Sequence, residues 1–343
     1  MQHYFSIIIP TRKITTYLIE ETLPALTRQQ YSFFEVILLA DEMKALRSVQ
    51  KQYKWLRVIQ STKRPGIKRD QGAKQAKGTI LAFIDDDAAP AKDWLEKANH
   101  IFQDKHIHAL GGPGILPQNA TFWEQVFNET VLTKLGGGSY TYRFRPEPKR
   151  FVDDFPSMNF FIKKNIFLKI GGFNNNYWPG EDSKLGNILA QQEKIFILYH
   201  PDVIVYHHRR NTISGHIDQY QRYGEMRGTF FMQGDINSLR LPYIIPALFV
   251  MYCVLYILAA LLFITKPYDS LLFILISVPI IVYGILLLVF SIQSFIKTKS
   301  ILITLGILFI LPVTHIVYGF YFFRATIIET FKKPPNITLE KKK

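Results

Sequence analysis

Two hydrophobic patterns divide the chain near residue 243. Before that point, short apolar runs alternate with amphipathic stretches, which predicts strands and helices in turn. The predicted strands are 5–10, 35–40, 56–60, 80–84 and 203–207. The predicted helices are 17–30, 43–53, 70–77, 94–103, 160–169 and 216–231. This alternation is typical of an α/β fold, Rossmann-like, with a mostly parallel sheet and helices on both faces.

After residue 243 the pattern changes to three apolar stretches, 244–264, 271–292 and 301–323, none of which contains Asp, Glu, Lys or Arg. At about 1.5 Å per residue, each is long enough to cross a hydrocarbon core of about 30 Å. The sequence therefore predicts three transmembrane helices. The predicted organisation is an α/β domain over 1–212, an amphipathic interfacial segment over 213–242, a transmembrane domain over 243–325 and a lysine-rich tail over 326–343.

The orientation of the protein in the membrane is predicted from the distribution of charge and from the first residues of the sequence. No signal peptide is apparent, and the single cysteine, Cys253, lies within an apolar stretch, so we expect the α/β domain in the cytoplasm. Three spans would then place the tail outside. Arg324 and the lysines of the tail oppose that placement under the positive-inside rule, and a re-entrant segment would reverse it.

The formal net charge of +14 is compatible with an anionic membrane surface or an anionic substrate. The sequence contains no recognised nucleic-acid-binding module, so nucleic acid is not an expected partner. Most lysines and arginines of the cluster over 63–77 are expected on a solvated helix face. We expect a multi-pass protein of the inner or plasma membrane.

Three consecutive carboxylates, Asp85, Asp86 and Asp87, follow the apolar run 80–84. Like charges this close are unfavourable unless a positive charge lies among them. Mg²⁺ or Mn²⁺ would supply that charge and could also bind substrate phosphates. The alternative is an acidic turn that caps the following helix.

Several ordered segments resemble glycosyltransferase family 2, whose members are inverting enzymes with the GT-A fold. They read FSIIIPTR, FEVILLADE, GIKRDQGAKQAKGTILAFIDDD, KIGGFNNNYWPGEDSKL, PDVIVYHHRR and QYQRYG. The resemblance covers about residues 4–230. The chain departs from the family pattern at Ala40, where an aspartate is usual, at Asp70, where asparagine is usual, and at Tyr223, where processive synthases carry tryptophan.

The resemblance implies a nucleotide-sugar site with Asp41 near the base, Arg69 and Arg222 near the diphosphate, and Asp85 and Asp87 as metal ligands. The remaining residues that it assigns to the nucleotide sugar are Pro10, Thr11, Arg12 and Asp86. His207 is the candidate third ligand. Alternation along its strand directs His207 and His208 to opposite faces, and a surface histidine is the alternative.

The resemblance also implies that Asp182, in the sequence GED, is the general base. A helix N-cap is its structural alternative. Glu181 is a second candidate base or an acceptor contact, and the sugar pocket is expected to include Trp178, Gln219 and Tyr223.

The predicted function is metal-dependent, inverting transfer of a sugar from a nucleotide sugar to a lipid-linked or cell-surface glycan. A UDP-sugar is the expected donor. Two alternatives remain. One is transfer to a polyprenyl phosphate, and the other is a catalytically silent subunit of a glycan-assembly complex.

Overall fold

The protein is described here by a computed structural model that covers residues 2–42, 46–173, 177–265 and 270–331. The chain divides into two compact units. The first contains Met1–His216 and Pro279–Leu311, and the second contains Ile217–Val278 and Pro312–Lys343. The first residues of the predicted helix 43–53 and the end of the lysine-rich tail lie outside the described part of the chain.

Among the described residues, all strands belong to the first unit. They are β1 (Phe5–Pro10), β2 (Phe34–Ala40), β3 (Leu56–Gln60), β4 (Ile80–Ile84), β5 (Ala88–Pro90), β6 (Ala109–Gly111), β7 (Gly114–Ile115), β8 (Arg150–Val152), β9 (Asn159–Lys163), β10 (Ile197–Tyr199) and β11 (Val205–His207). The main sheet has the order β3-β2-β1-β4-β9-β6-β10-β8, and a small sheet has the order β5-β11-β7.

The α-helices are α1 (Leu23–Thr27), α2 (Leu46–Gln52), α3 (Pro65–Gln75), α4 (Trp94–Ile101), α5 (Phe122–Leu132), α6 (Lys164–Lys169), α7 (Glu181–Gln191), α8 (Ile213–Met232), α9 (Leu241–Thr265), α10 (Ser270–Thr298) and α11 (Ile301–Phe331). A π-helical turn at Leu18–Thr22 precedes α1, and 3₁₀ turns occur at Gly138–Arg143 and Ile236–Ser238. Three helices, α9, α10 and α11, are long and apolar enough to cross a membrane.

The main sheet is covered on both faces, as the continuous apolar run of its first strand predicts. Along β1, Ile7 and Ile9 point into one hydrophobic cluster and Ile8 into the other. Helix α3 packs closely on the second face because Gly72 lacks a side chain, and a Cβ at that position would lie 2.7 Å from Cγ2 of Ile8. Leu39 of β2 is the other near neighbour of Gly72, so this close packing fixes α3 over β1 and β2.

Strands β1, β2, β3 and β4 are parallel, and β1 lies between β2 and β4. The chain therefore reverses its direction of strand addition between β1 and β4. In open α/β sheets, ligands bind at such a point, beyond the carboxyl ends of the strands. Thr11 follows β1 and Asp85 follows β4, so both residues lie at this edge.

The prediction of a helix over 160–169 is wrong in its first half. Asn159–Lys163 forms β9, which pairs antiparallel with β4 and β6, and the helix α6 begins at Lys164. The segment is short and apolar, and periodicity cannot separate a buried strand from a helix over so few residues. Phe160 and Phe161 are buried on opposite faces of the sheet, which stabilises the strand.

His216, near the start of α8, is buried and stacks on Phe127 of α5 with ring centroids 4.1 Å apart. Burial lowers the pKa of His216 from 6.5 to about 4. Below pH 6.5 the unfolded chain therefore binds a proton that the folded chain excludes, so stability falls as the pH drops toward 4.

We expect this proton uptake to cost about 2 kcal/mol of unfolding free energy between pH 8 and pH 5. His216→Leu should remove that part of the pH dependence. Thermal unfolding of the wild type and the variant at both pH values measures the difference. An equal decrease in both proteins would show that His216 is not the source.

Candidate active site

Two carboxylates and an imidazole meet beyond the end of β4. The turn after β4 carries Asp85 and Asp87, and β11 pairs with β5 so that His207 lies opposite Ala88. His207 Nε2 is 3.1 Å from Asp87 Oδ1. One ligand atom from each of Asp85, Asp87 and His207 lies within 4.8 Å of the other two.

The third carboxylate of the turn, Asp86, faces a different partner. The Thr11 hydroxyl donates a hydrogen bond to Asp86 Oδ2. Burial, together with the charge of Asp87, raises the pKa of Asp86 to about 7. Burial alone would also raise the pKa of Asp87, but the nearby His207 outweighs it and holds that pKa below its usual value.

The carboxylates of Asp85 and Asp87 and the imidazole of His207 are ligands that suit a hard divalent cation. Mg²⁺ and Mn²⁺ accept carboxylate oxygens, and an imidazole is an ordinary additional ligand for Mn²⁺. The three side chains are partly exposed at the strand ends, so a cation held there could keep further positions for substrate oxygens. The geometry supports a metal site at the predicted residues without identifying the ion.

Arg69 of α3 connects the acidic turn to the start of α7. Its Nη2 donates to Asp85 Oδ1 at 2.6 Å, and its Nη1 donates to Glu181 Oε1 at 2.9 Å. Burial would lower the pKa of Arg69, but Asp85, Glu181 and Asp182 outweigh it, so the pKa is raised and the guanidinium stays charged. Arg69 is therefore a fixed positive charge between the two acidic groups.

Asp182 and Glu181 occupy the first turn of α7, which begins after Gly180 in a left-handed conformation with a φ of 115°. The Asp182 carboxylate accepts hydrogen bonds from the Ser183 N–H at 2.8 Å and the Ser157 N–H at 3.3 Å. Glu181 is only 6% exposed, and burial raises its pKa to about 7 against the opposing effect of Arg69. Asp182 is the more accessible of the two carboxylates.

Lys68 differs from the predicted solvated face of α3, because it is only 3% exposed. Its Nζ forms an ion pair with Asp41 at the end of β2 and donates to the Thr11 carbonyl oxygen at 2.5 Å. The buried position follows from the close packing of α3 on the sheet at Gly72. The Asp41 carboxylate, a hydrogen-bond acceptor, and the Lys68 ammonium group, a donor, therefore lie side by side. The family resemblance predicts the nucleobase near Asp41.

The remaining predicted residues are placed as follows. Pro10 ends β1, Thr11 is buried and Arg12 is exposed. Trp178 is 51% exposed in the turn before α7. The residues Gln219, Arg222 and Tyr223 lie on α8 in the second unit, where Gln219 Nε2 donates to Tyr223 Oη at 3.1 Å. Their participation in the site stays a prediction.

His208 points away from His207, as the strand alternation predicts, into a polar cluster that the sequence did not reveal. Its Nδ1 lies 2.6 Å from Glu124 Oε1 and its Nε2 lies 2.9 Å from Glu21 Oε2. The ring of Tyr17 stacks on the imidazole at 4.1 Å. Glu124 also forms a capping box with Thr121 at the start of α5. The cluster ties the strand that carries His207 to α5.

Comparison with known proteins shows the family to which the chain belongs. Residues 2–224 match the model of the glycosyltransferase-like family 2. Glycosyltransferase AglE of Haloferax volcanii is 25% identical over 195 residues, which are 52% of this chain and 59% of AglE. The glucosyl-dolichyl phosphate glucuronosyltransferase of the same organism is 25% identical over 108 residues, which are 32% of this chain and 34% of that enzyme. The matches thus span less than two thirds of both relatives.

A solved structure, the mannosyltransferase PcManGT from Pyrobaculum calidifontis in complex with GDP-Man and Mn²⁺, has a similar fold. The TM-score is 0.58 at 14% sequence identity, over 97% of this chain and 89% of the other. At that identity the similarity shows the fold alone, which is GT-A-like. The matched family model covers the whole α/β part of the chain, and the protein belongs to glycosyltransferase family 2.

Proposed function

We propose that the protein is a metal-dependent, inverting glycosyltransferase that uses a nucleotide sugar and acts at a membrane. The observation that carries the proposal is the position of Arg69. This buried guanidinium forms ion pairs with Asp85 of the acidic turn and with Glu181, the neighbour of Asp182 in the sequence. Arg69 thereby places a positive charge for the departing diphosphate between the acidic turn and the start of α7, which carries the candidate base.

Asp85, Asp87 and His207 would hold Mg²⁺ or Mn²⁺ in this reaction. A bound cation would supply Lewis-acid stabilisation of the diphosphate leaving group. Arg69 would add a fixed positive charge near the same phosphates. Because it is already oriented by two carboxylates, it needs little rearrangement when negative charge develops there.

Asp182 would accept the proton of the acceptor hydroxyl as that oxygen attacks the anomeric carbon. The bond from the anomeric carbon to the diphosphate oxygen breaks in the same displacement, which inverts the configuration. Two backbone N–H groups donate to the Asp182 carboxylate and hold it in one orientation, which would prepare it for proton transfer. Trp178, which is half-exposed before α7, would contact the sugar.

Asp41 and Lys68 favour a particular class of nucleobase. A carboxylate accepts a hydrogen bond from a ring N–H, and an ammonium group donates one to a neighbouring carbonyl oxygen. Uracil and guanine present that pair of groups on one edge, whereas adenine and neutral cytosine do not. The pair therefore supports a UDP-sugar or GDP-sugar donor.

A binding panel with the full-length protein tests this preference. We expect UDP or GDP, with Mn²⁺, to bind at least about tenfold more tightly than ADP and CDP, since each good polar pair contributes about 1.4 kcal/mol or more. Lys68→Met should reduce that preference. Lys74→Met, an exposed position on the same helix, is the control. Equal binding of all four nucleotides by a folded sample would contradict the proposed base contact.

The acceptor is proposed to be a lipid-linked glycan at the cell membrane, with the catalytic domain in the cytoplasm. One relative is named for glucuronosyl transfer involving glucosyl-dolichyl phosphate, and the apolar helices of this chain would keep the site near such a lipid. Transfer to a simple polyprenyl phosphate is the second candidate. A comparison of polyprenyl phosphate with its glycosylated form as acceptors, using radiolabelled donor, distinguishes the two.

A further inference from the structure

A short segment between β8 and β9, residues 153–157, runs along the start of α7. Gly186 of α7 permits this approach, since a Cβ at that position would lie 2.6 Å from the Asp153 carbonyl oxygen. In the middle of the segment, the side chain of Phe155 is buried in a hydrophobic core cluster. The 153–157 segment is therefore anchored in the core of the first unit and packed on α7.

Both oxygens of the Asp182 carboxylate accept backbone hydrogen bonds, and the two donors belong to different elements. The Ser183 N–H, which donates to Oδ1, is part of α7, and the Ser157 N–H, which donates to Oδ2, is part of the 153–157 segment. The orientation of the carboxylate therefore depends on how α7 and this segment are held against each other. A shift of either element would change the geometry at one of the two oxygens.

A buried side-chain pair connects the two elements next to Asp182. The Ser183 hydroxyl donates to Asp154 Oδ1 at 3.2 Å, and Asp154 is only 2% exposed. Ser183 thus contacts Asp182 through its main chain and Asp154 through its side chain. A buried carboxylate is unfavourable unless it is hydrogen-bonded or paired with a charge, so this contact stabilises one relative position of α7 and the 153–157 segment.

Arg143 lies on the other side of the Asp154 carboxylate. Its Nη2 donates to the Asp154 carbonyl oxygen at 2.9 Å and lies 3.5 Å from Asp154 Oδ2. The guanidinium also lies over the ring of Tyr140, with Cζ 4.7 Å from the ring centroid. The Asp154 carboxylate is thus held by a cation at one oxygen and by the Ser183 hydroxyl at the other.

We propose that Asp154 and Ser183 are positioning residues for the general base of glycosyl transfer. Asp154, held by Arg143, binds the Ser183 hydroxyl and keeps the first turn of α7 against the 153–157 segment, so that both N–H donors orient the Asp182 carboxylate. A catalytic group must be held within about 0.5 Å of its productive geometry, and supporting hydrogen bonds provide that precision. The inference rests on the proposed function, because both residues act through Asp182.

The alternative is that the pair of Asp154 and Ser183 contributes only to stability. A carboxylate near the first turn of a helix is favourable in any protein, because the N-terminal end of a helix carries a partial positive charge. A role limited to stability would lower the unfolding temperature of a variant but would leave kcat of the folded protein unchanged. The value of kcat, and its dependence on Asp182, therefore distinguish the two roles.

Ser183→Ala removes the hydroxyl and keeps the main-chain N–H that donates to Asp182. With water as the acceptor, kcat is measured for hydrolysis of the nucleotide sugar selected by the binding panel, using full-length protein and Mn²⁺. We expect kcat to fall at least about tenfold, since a misplacement of 1 Å can cost about a hundredfold. Donor and Mn²⁺ affinities should not change, because Arg69 and the acidic turn are unaltered. Asp154→Asn should act similarly, since an amide has one acceptor oxygen for Ser183 and Arg143.

Ser6→Ala is the matched control for the loss of a buried hydroxyl. The Ser6 hydroxyl donates to Glu35 Oε1 at 2.7 Å, so Ser6 is likewise a buried serine bonded to a carboxylate in the first unit. It lies near the amino end of β1, whereas the candidate site lies beyond the carboxyl end. We expect Ser6→Ala to lower the unfolding temperature and to leave kcat unchanged. An equal loss of kcat in Ser6→Ala and Ser183→Ala would overturn the proposal.

Combination with Asp182→Asn separates positioning of the base from an independent effect on the rate. Ser183→Ala should lower kcat little further in the Asp182→Asn background, because no base remains to be oriented. An equal factor in both backgrounds, or unchanged kcat in both Ser183→Ala and Asp154→Asn, would overturn the positioning role and leave the proposed function intact. Full activity of Asp182→Asn alone would instead contradict the assignment of the base, and the positioning role with it.

Discussion

Asp182→Asn is expected to lower the rate constant of glycosyl transfer by about a thousandfold, because an amide cannot accept the acceptor's proton. Asparagine has nearly the same size and can retain one of the two backbone hydrogen bonds, so the start of α7 should be preserved. Donor affinity should change little, since Asp182 is assigned to the acceptor side. Single-turnover rates and separate donor titrations measure the two effects.

Two further variants make this prediction specific. Asp202→Asn changes an exposed aspartate of the same unit and should leave the rate unaltered. Glu181→Gln removes a charge from the buried pair with Arg69 and should have a smaller effect on the rate than Asp182→Asn. A large loss in Glu181→Gln with near-normal activity in Asp182→Asn would instead assign the base to Glu181.

Asp87→Ala is expected to weaken Mn²⁺ binding by at least about a hundredfold and to lower activity by a similar factor or more. Asp87 is the charged partner of His207 in the three-residue cluster, so its loss removes the strongest interaction with a cation. Bound and free Mn²⁺ can be measured directly by electron paramagnetic resonance. This readout does not require an active enzyme.

The proposed metal ligands should also differ in how much each contributes to Mn²⁺ binding. His207→Ala removes a neutral ligand and should have a smaller effect on Mn²⁺ binding than Asp87→Ala, because it leaves both carboxylates in place. Asp104→Ala, an exposed carboxylate elsewhere in the first unit, is the matched control. Full activity of the wild type in the presence of excess chelator, with no metal detected in the protein, would contradict metal dependence.

Much of the fold follows from local patterns. The apolar runs that end in Asp41 and Asp85 predict parallel strands whose ends meet, and the structure places both residues at that edge of the main sheet. The period of a strand predicts the opposite directions of His207 and His208. These features depend on residues close in sequence, which is why the sequence reveals them.

Other features depend on distant partners. Lys68 is buried because Gly72 lets α3 approach the sheet and because Asp41 lies 27 residues away in sequence. Nothing in the basic run around Lys68 distinguishes it from its solvated neighbours. Likewise, the contacts of His208 with Glu124 and Glu21 join residues 84 and 187 positions apart. Such pairs become apparent only when the chain is folded.

The packing of α11 has the same origin. Its sequence contains no Asp, Glu, Lys or Arg over 301–323, so length and composition predict a membrane span. The contacts of its first part with α5, and of its later part with α8, involve helices that are far away in the sequence. Hydropathy alone therefore predicts the helix but not which of its side chains pack on protein.

The stereochemistry of donor hydrolysis tests the central proposal most directly. Purified full-length protein with Mg²⁺ and an α-linked nucleotide sugar selected by the binding panel would be followed by proton NMR from the first minutes. The account predicts that the first free sugar is the β-anomer, and that Asp182→Asn and Asp87→Ala both suppress its release. Release of the α-anomer first, or release that is unaffected by chelator, would contradict a metal-dependent inverting displacement.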